Sequence, residues 1–184
     1  SGCVPFNLRV KNITDTVEGE VYSNWTWEFD DGSEPVNAFE AEPHLFTEPG
    51  EYTIKLGATN SLGCYNYSTQ SIKVNPSPVA RFRSTSPDCQ NDFSYIEFNG
   101  SYSSNPQFTW NFDTAQIVNG SGKGPYYVKW SEPGNKHVSL TLEEDGCSST
   151  FAAKIQITPI AEVYLDVSAT EDSICAGQTV RFTA

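Results

Sequence analysis

Apolar residues alternate with polar ones along most of this chain at period two, the spacing that puts successive side chains on opposite faces of a β-strand. Phe6, Leu8 and Val10 mark one such stretch; Tyr52, Ile54, Leu56 and Ala58 mark a second, and Ala153, Ile155 and Ile157 a third. Clusters of Gly, Pro, Asn, Asp and Ser separate these stretches, among them Asp31-Gly32, Pro49-Gly50 and Asp145-Gly146. Such clusters read as turns. No window carries the recurrence of an amphipathic helix, so the pattern predicts an all-β chain.

The chain also repeats itself. Trp25-Thr26-Trp27-Glu28-Phe29-Asp30 returns as Phe108-Thr109-Trp110-Asn111-Phe112-Asp113, and Phe46-Thr47-Glu48-Pro49-Gly50 returns as Trp130-Ser131-Glu132-Pro133-Gly134. Gly63-Cys64 returns as Gly146-Cys147. The offset is 83 residues at Trp27 and 84 at Pro49. A third copy opens with Pro159-Ile160-Ala161, matching Pro78-Val79-Ala80, and continues with Cys175…Val180-Arg181-Phe182, matching Cys3…Leu8-Arg9-Val10. A fixed long period marks a tandem array. The division is residues 1–75, a first module whose first strand is missing; residues 76–158, a second module; and residues 159–184, the start of a truncated third. About seven short strands per copy point to tandem immunoglobulin-like β-sandwiches. Asn75-Pro76-Ser77-Pro78 and Thr158-Pro159 read as linkers stiffened by proline.

The formal net charge is −12, with acids spread along the whole length. That surface repels nucleic acid and anionic membrane, so neither is expected as a partner. No apolar run approaches the ~20 residues a membrane span needs, which argues against insertion. There is no methionine, and Ser1-Gly2-Cys3-Val4 has no basic-then-apolar leader. The chain is therefore expected to be a processed or excised part of a longer one. None of the five cysteines has C-x-x-C spacing or a nearby His, which argues against zinc and redox motifs. Wide spacing in a Ser/Thr/Asn-rich chain fits disulfides formed after export.

Trp27-Glu28-Phe29-Asp30-Asp31-Gly32 resembles the W-D-F-G-D-G signature of the polycystic-kidney-disease (PKD) domain. His44-Leu45-Phe46, followed by Pro49-Gly50-Glu51-Tyr52-Thr53-Ile54-Lys55-Leu56, is similar to that family's H-x-Y…PG-x-Y-x-V-x-L run. In the second copy Asn111-Phe112-Asp113-Thr114-Ala115 departs from the signature, and the resemblance there rests on the repeat. The Gly-Cys placements are similar to PKD repeats of Bacteroidota surface proteins, including gliding-motility adhesins and other proteins exported by the type IX system. This resemblance implies a non-catalytic stalk or spacer in a large secreted or cell-surface adhesin on the outside of a bacterium. Neighbouring modules are then its first partners, with surface polysaccharide or the export and motility machinery as others. The alternative is a substrate-binding accessory of a secreted hydrolase or protease.

Candidate chemistry is sparse. His44 and His137 are the only histidines, and neither has a nucleophile and acid at a recognisable spacing, so no catalytic residue is expected. Asp30 and Asp31, with Glu28, offer hard oxygen ligands, which makes a structural calcium ion the one candidate cofactor. The competing reading is an Asp-Gly turn whose carboxylate caps backbone amides. Trp25, Trp27 and Phe29 share a strand face, as do Phe108, Trp110 and Phe112, and Trp130 replaces Phe46. Aromatics kept on one face in both copies read as core, which assigns all four tryptophans there. Tyr65, Tyr67 and the pair Tyr126-Tyr127 remain as sugar-platform candidates, and Ala115–Pro125 as a loop that differs between copies.

Thr16, Thr114 and Ser173 sit in D-(S/T)-apolar sequences, which resemble Bacteroidota O-glycosylation sites. Asn12, Asn24, Asn66, Asn99 and Asn119 open N-x-(S/T) sequons. Counting pairs the cysteines as Cys3–Cys64 and Cys89–Cys147, leaving Cys175. Sandwich geometry objects, because a strand of about eight residues separates the two poles by ~26 Å and a disulfide tolerates ~7 Å. The geometric alternative is a Cys3–Cys147 staple between modules, with Cys64, Cys89 and Cys175 bonded to further modules. Both pairings stand at the level of sequence.

Overall fold

A computed structural model of the chain describes residues 1–15, 21–85, 88–160, 168–169 and 182–183. Among them every regular element is a strand. The first sandwich comprises β1 (Gly2–Cys3), β2 (Phe6–Leu8), β3 (Tyr22–Glu28), β4 (His44–Phe46), β5 (Gly50–Asn60) and β6 (Tyr65–Asn75). Its larger sheet runs in the order β1-β6-β5-β3, and β2 pairs with β4 opposite it.

The second sandwich comprises β7 (Phe82–Ser84), β8 (Asp88–Cys89), β9 (Phe93–Phe98), β10 (Gln107–Asn111), β11 (Gln116–Asn119), β12 (Tyr126–Lys129), β13 (Gly134–Glu144) and β14 (Cys147–Thr158). Its sheets run β8-β14-β13-β10 and β7-β9-β12-β11. The two larger sheets correspond strand for strand. In each, a two-residue strand joins the last residues of the long C-terminal strand in parallel: Cys3 opposite Asn75, and Cys89 opposite Thr158. A final pair, β15 (Ser168–Ala169) and β16 (Phe182–Thr183), is antiparallel. Residues 161–167, 170–181 and 184 lie outside the described residues, Ser173 and Cys175 among them, as does Thr16.

Inward-facing residues of the long hairpins build the cores, as their alternation requires. In the second sandwich Ile96, Val128, Val138, Leu140, Leu142 and Ile155 are wholly buried. In the first, Trp27, Phe29, Phe46, Ile54 and Val74 form a smaller buried cluster. Trp130 and Phe46 fill the same seat, each about 1% exposed.

The tryptophan expectation needs correction at two positions. Trp110 is only partly buried and packs at the margin of the second core. Trp25 lies outside the first cluster, against Tyr22 and Phe39. Both stand on strands at the edge of their sheets, where cover from the facing sheet is incomplete. Tyr126, grouped above with exposed candidates, is a core residue against Trp110 and Phe112. Burial raises its hydroxyl pKa.

Candidate functional site at the junction

The parallel pairing of β1 with the end of β6 carries Cys3 to the trailing end of the first sandwich, beside the linker. Cys147 opens β14 directly after the Asp145-Gly146 turn, at the leading end of the second. Both turn residues have positive φ, 49° and 78°, a region that suits Asp and Gly. The two ends meet. Cys3 and Cys147 form a disulfide with Cα atoms 5.7 Å apart, and Cys147 is buried.

Polar contacts surround the bridge. Asn75 Nδ2 donates to the Asp145 carbonyl at 3.0 Å, and Ala80 N–H donates to Ser149 Oγ at 3.2 Å. Ser77 Oγ, in the linker, donates back to the Val4 carbonyl. Next to the turn, Glu144 is buried and accepts from the backbone amides of Ser103 and Ser104. Those amides hold its carboxyl below the usual range. The linker is thus bonded on both sides.

The pairing Cys3–Cys64 with Cys89–Cys147 does not occur. Cys64 precedes β6 while Cys3 lies beside its last residue, and eleven strand residues separate such ends by roughly 36 Å. The same distance problem separates Cys89 from Cys147 along β14. Cys64 and Cys89 are free and exposed. Each occupies the repeat position of a stapled residue, Cys64 that of Cys147 and Cys89 that of Cys3.

Asp30 and Asp31 are engaged within the fold. Asp30 has φ 59° and accepts from Thr53 N–H at 3.2 Å. Asp113 has φ 57° and accepts from His137 N–H at the same distance. The aspartate kept in both copies therefore ties its turn to the adjacent long strand, a role its spacing did not reveal. Asp31 accepts from Ser33 N–H and Oγ and meets His44 Nε2 at 2.7 Å. The His44 ring stacks on Phe29, centroids 3.9 Å apart. Among the described residues no three His, Cys, Asp or Glu side chains group as a metal site.

Partial burial opposes the charge on Asp31, but bonds from Ser33 and His44 outweigh it and bring its pKa from an ordinary 3.8 to about 2. A depressed carboxyl pKa adds stability above the unfolded value and loses it as pH falls through the folded one. Asp31 is exposed and its contacts are screened by solvent, so between pH 4 and 2 the first sandwich should lose no more than about 1 kcal/mol from this group. Asp31→Asn should flatten that part of the curve, read by urea titration at each pH. Equal acid sensitivity in the two proteins would contradict it.

Tyr65 and Tyr67 are exposed on β6, stacked with centroids 6.1 Å apart. Lys55 Nζ lies 5.3 Å from the Tyr67 ring centre and pairs with Glu28. Tyr127 is exposed against Tyr95. Thr114 is exposed, as are Asn24, Asn66, Asn99 and Asn119. Asn12 is buried with its Nδ2 bonded to the Phe39 carbonyl, which removes that sequon from reach in the folded state.

A family model described as PKD domain matches residues 5–76. No curated protein matches the chain at a significant level. Among solved structures, it is similar to the fibronectin(III)-like modules of Clostridium thermocellum CbhA, at 17% identity, 83% of this chain, 87% of that one and TM-score 0.33. It is also similar to the D00-D0 domain of intimin, at 14% identity, 85% of this chain, 94% of that one and TM-score 0.36. A third is Bacteroides ovatus SGBP-B in complex with a mixed-linkage heptasaccharide, at 14% identity, 85% of this chain and TM-score 0.31. The chain spans 42% of that protein's length.

Proposed function

From the match of a PKD-domain family model to residues 5–76 of the first sandwich, we propose that this chain is a non-catalytic spacer segment of a secreted or cell-surface protein. Modules of this fold that carry a disulfide are typically extracellular and typically not enzymes. No described helix is long and apolar enough to cross a membrane. The observation that carries the reading is the Cys3–Cys147 bridge, which fixes two successive copies end to end. In a repeat array the junctions set the mechanics of the whole. A bonded linker with a covalent staple makes a stiff joint.

The division at residues 75 and 158 belongs to this proposal, as do a bacterial surface as the location and glycan on Thr114. So does the continuation of the staple, with Cys64 and Cys89 bonded to modules of the same kind on either side. Small-angle scattering tests the stalk. The unreduced chain should scatter as one extended body about twice the ~36 Å length of an eleven-residue hairpin. Mild reduction should broaden its distance distribution. A compact profile, or one indifferent to reduction, would remove the basis for a stapled spacer.

The accessory reading draws on Tyr65 and Tyr67, whose faces lie open beside the cation of Lys55. It predicts retention on insoluble polysaccharide, cut several-fold by Tyr67→Ala. Washing through unretained, wild type and variant alike, would leave the spacer reading alone.

A further inference from the structure

Asparagine precedes glycine twice in this chain, at Asn99-Gly100 and Asn119-Gly120. The fold requires both glycines. A β-carbon at Gly100 would collide with the Val79 carbonyl oxygen, and one at Gly120 with that of Pro125. Gly120 also has φ 121°, a region that side chains disfavour. The nitrogen that follows each asparagine is therefore flanked by no side chain.

The two sites differ in what the asparagine side chain does. Gly120 N–H donates to Asn119 Oδ1 at 2.9 Å, which sets that nitrogen against the side-chain amide, whose carbon is one bond from the oxygen. Asn119 ends β11, a strand of exposed residues at the edge of its sheet. Its ladder to β12 is interrupted between Ile117 and Asn119, so few bonds hold it and water has access. At Asn99 the main chain is held on both sides. Asn99 N–H donates to the Arg81 carbonyl at 3.0 Å, and beyond Gly100 the amides of Val79 and Ser101 bond each other's carbonyls at 2.8 and 3.1 Å. Asn66 shares the local geometry, accepting from Tyr67 N–H at 2.9 Å. There the nitrogen carries a tyrosine, and Asn66 lies within an unbroken ladder opposite Ala58.

We propose that Asn119 is a site of spontaneous modification, in which Gly120 N attacks the Asn119 side-chain amide and leaves aspartate and isoaspartate. Gly120 N gives its proton to hydroxide and bonds to Asn119 Cγ. The Cγ–Nδ2 bond breaks, and Nδ2 takes a proton from water and leaves as ammonia. A cyclic imide remains. Water then adds to either of its carbonyl carbons. Opening at Cγ gives aspartate; opening at the Asn119 main-chain carbonyl gives isoaspartate, with the chain now running through the side chain. In sum one water enters and one ammonia leaves, and no oxidant or cofactor takes part. Holding the reacting atoms together is what favours Asn119 over Asn99.

Either product places a carboxylate on an edge strand that otherwise carries no charge, Gln116–Asn119. Either also ends the Asn119-Gly120-Ser121 sequon. Isoaspartate inserts a carbon into the main chain where Asn119 faces Tyr127. This inference stands whether or not the chain serves as a spacer.

The test is incubation of the whole native chain, Cys3–Cys147 intact, in mildly alkaline buffer made with heavy-oxygen water. Trypsin, cutting after Arg83 and Lys123, then releases residues 84–123, which carry both Asn-Gly pairs. Fragment masses locate the conversion. Asn119 should convert at least about tenfold faster than Asn99, with a heavy oxygen in the product and part of it as isoaspartate. The rate should rise with pH, and Asn66 should stay intact. In guanidinium chloride Asn99 and Asn119 should convert at similar rates, because the dipeptide is the same and the fold is gone. Asn99 converting as fast as Asn119 in the native chain would overturn the proposal. So would an Asn119 that stays intact in the native chain while the unfolded chain converts.

Discussion

Replacing Cys3 and Cys147 together by serine is expected to lower the stability of the joined sandwiches by roughly 5 kcal/mol and to split their unfolding into two steps. The bridge spans 144 residues, and in the chain-entropy treatment a loop of that length gives a figure of this order. Both sandwiches lie largely inside the loop, so neither can unfold in the native protein without the other's restraint. Once the bridge is gone, the hydrogen bonds of Asn75 to Asp145 and of Ser77 to Val4 remain to couple them. The first sandwich should then melt first, since its buried cluster holds five residues against thirteen in the second. Calorimetry reads both effects. A single unshifted transition would show that the bridge does not couple the folds.

The second large effect is expected at Trp130. Its side chain is 1% exposed at the centre of the larger core, and its Nε1 donates to the Phe112 carbonyl at 3.2 Å. Trp130→Ala removes a large buried ring and one of the two hydrogen bonds that carbonyl accepts, the other coming from Ala115 N–H. The cost should be about 3–5 kcal/mol, confined to the unfolding of the second sandwich. Tyr127→Ala, three residues away and 41% exposed, should change stability by no more than about 0.5 kcal/mol. Comparable losses in the two variants by urea denaturation would place the core elsewhere.

The strands and the shared core positions were legible because alternation and repetition agree there: Phe29 with Phe112, and Phe46 with Trp130. Tyr126 was not legible. Its counterpart in the first copy is Glu42, so repetition carried no mark of burial. Trp25 was misjudged for the opposite reason, since its facing direction was right but an edge strand leaves that face open. The Asp30 and Asp113 contacts depend on a positive φ at each residue, which residue type permits but spacing does not dictate. The junction was legible only as a choice between two bridges. Deciding it required knowing that Cys3 lies beside the end of β6 rather than its beginning.

Pulling a single chain from its two ends tests the stapled spacer most directly. Force should pass from Cys3 through the disulfide to Cys147 and bypass the first sandwich altogether. The segment between the cysteines, which stand 144 positions apart, then stays hidden until the bridge is reduced, when about 500 Å of extra length should appear. Full extension of the chain without reductant would show that no such bridge carries load and would contradict the account.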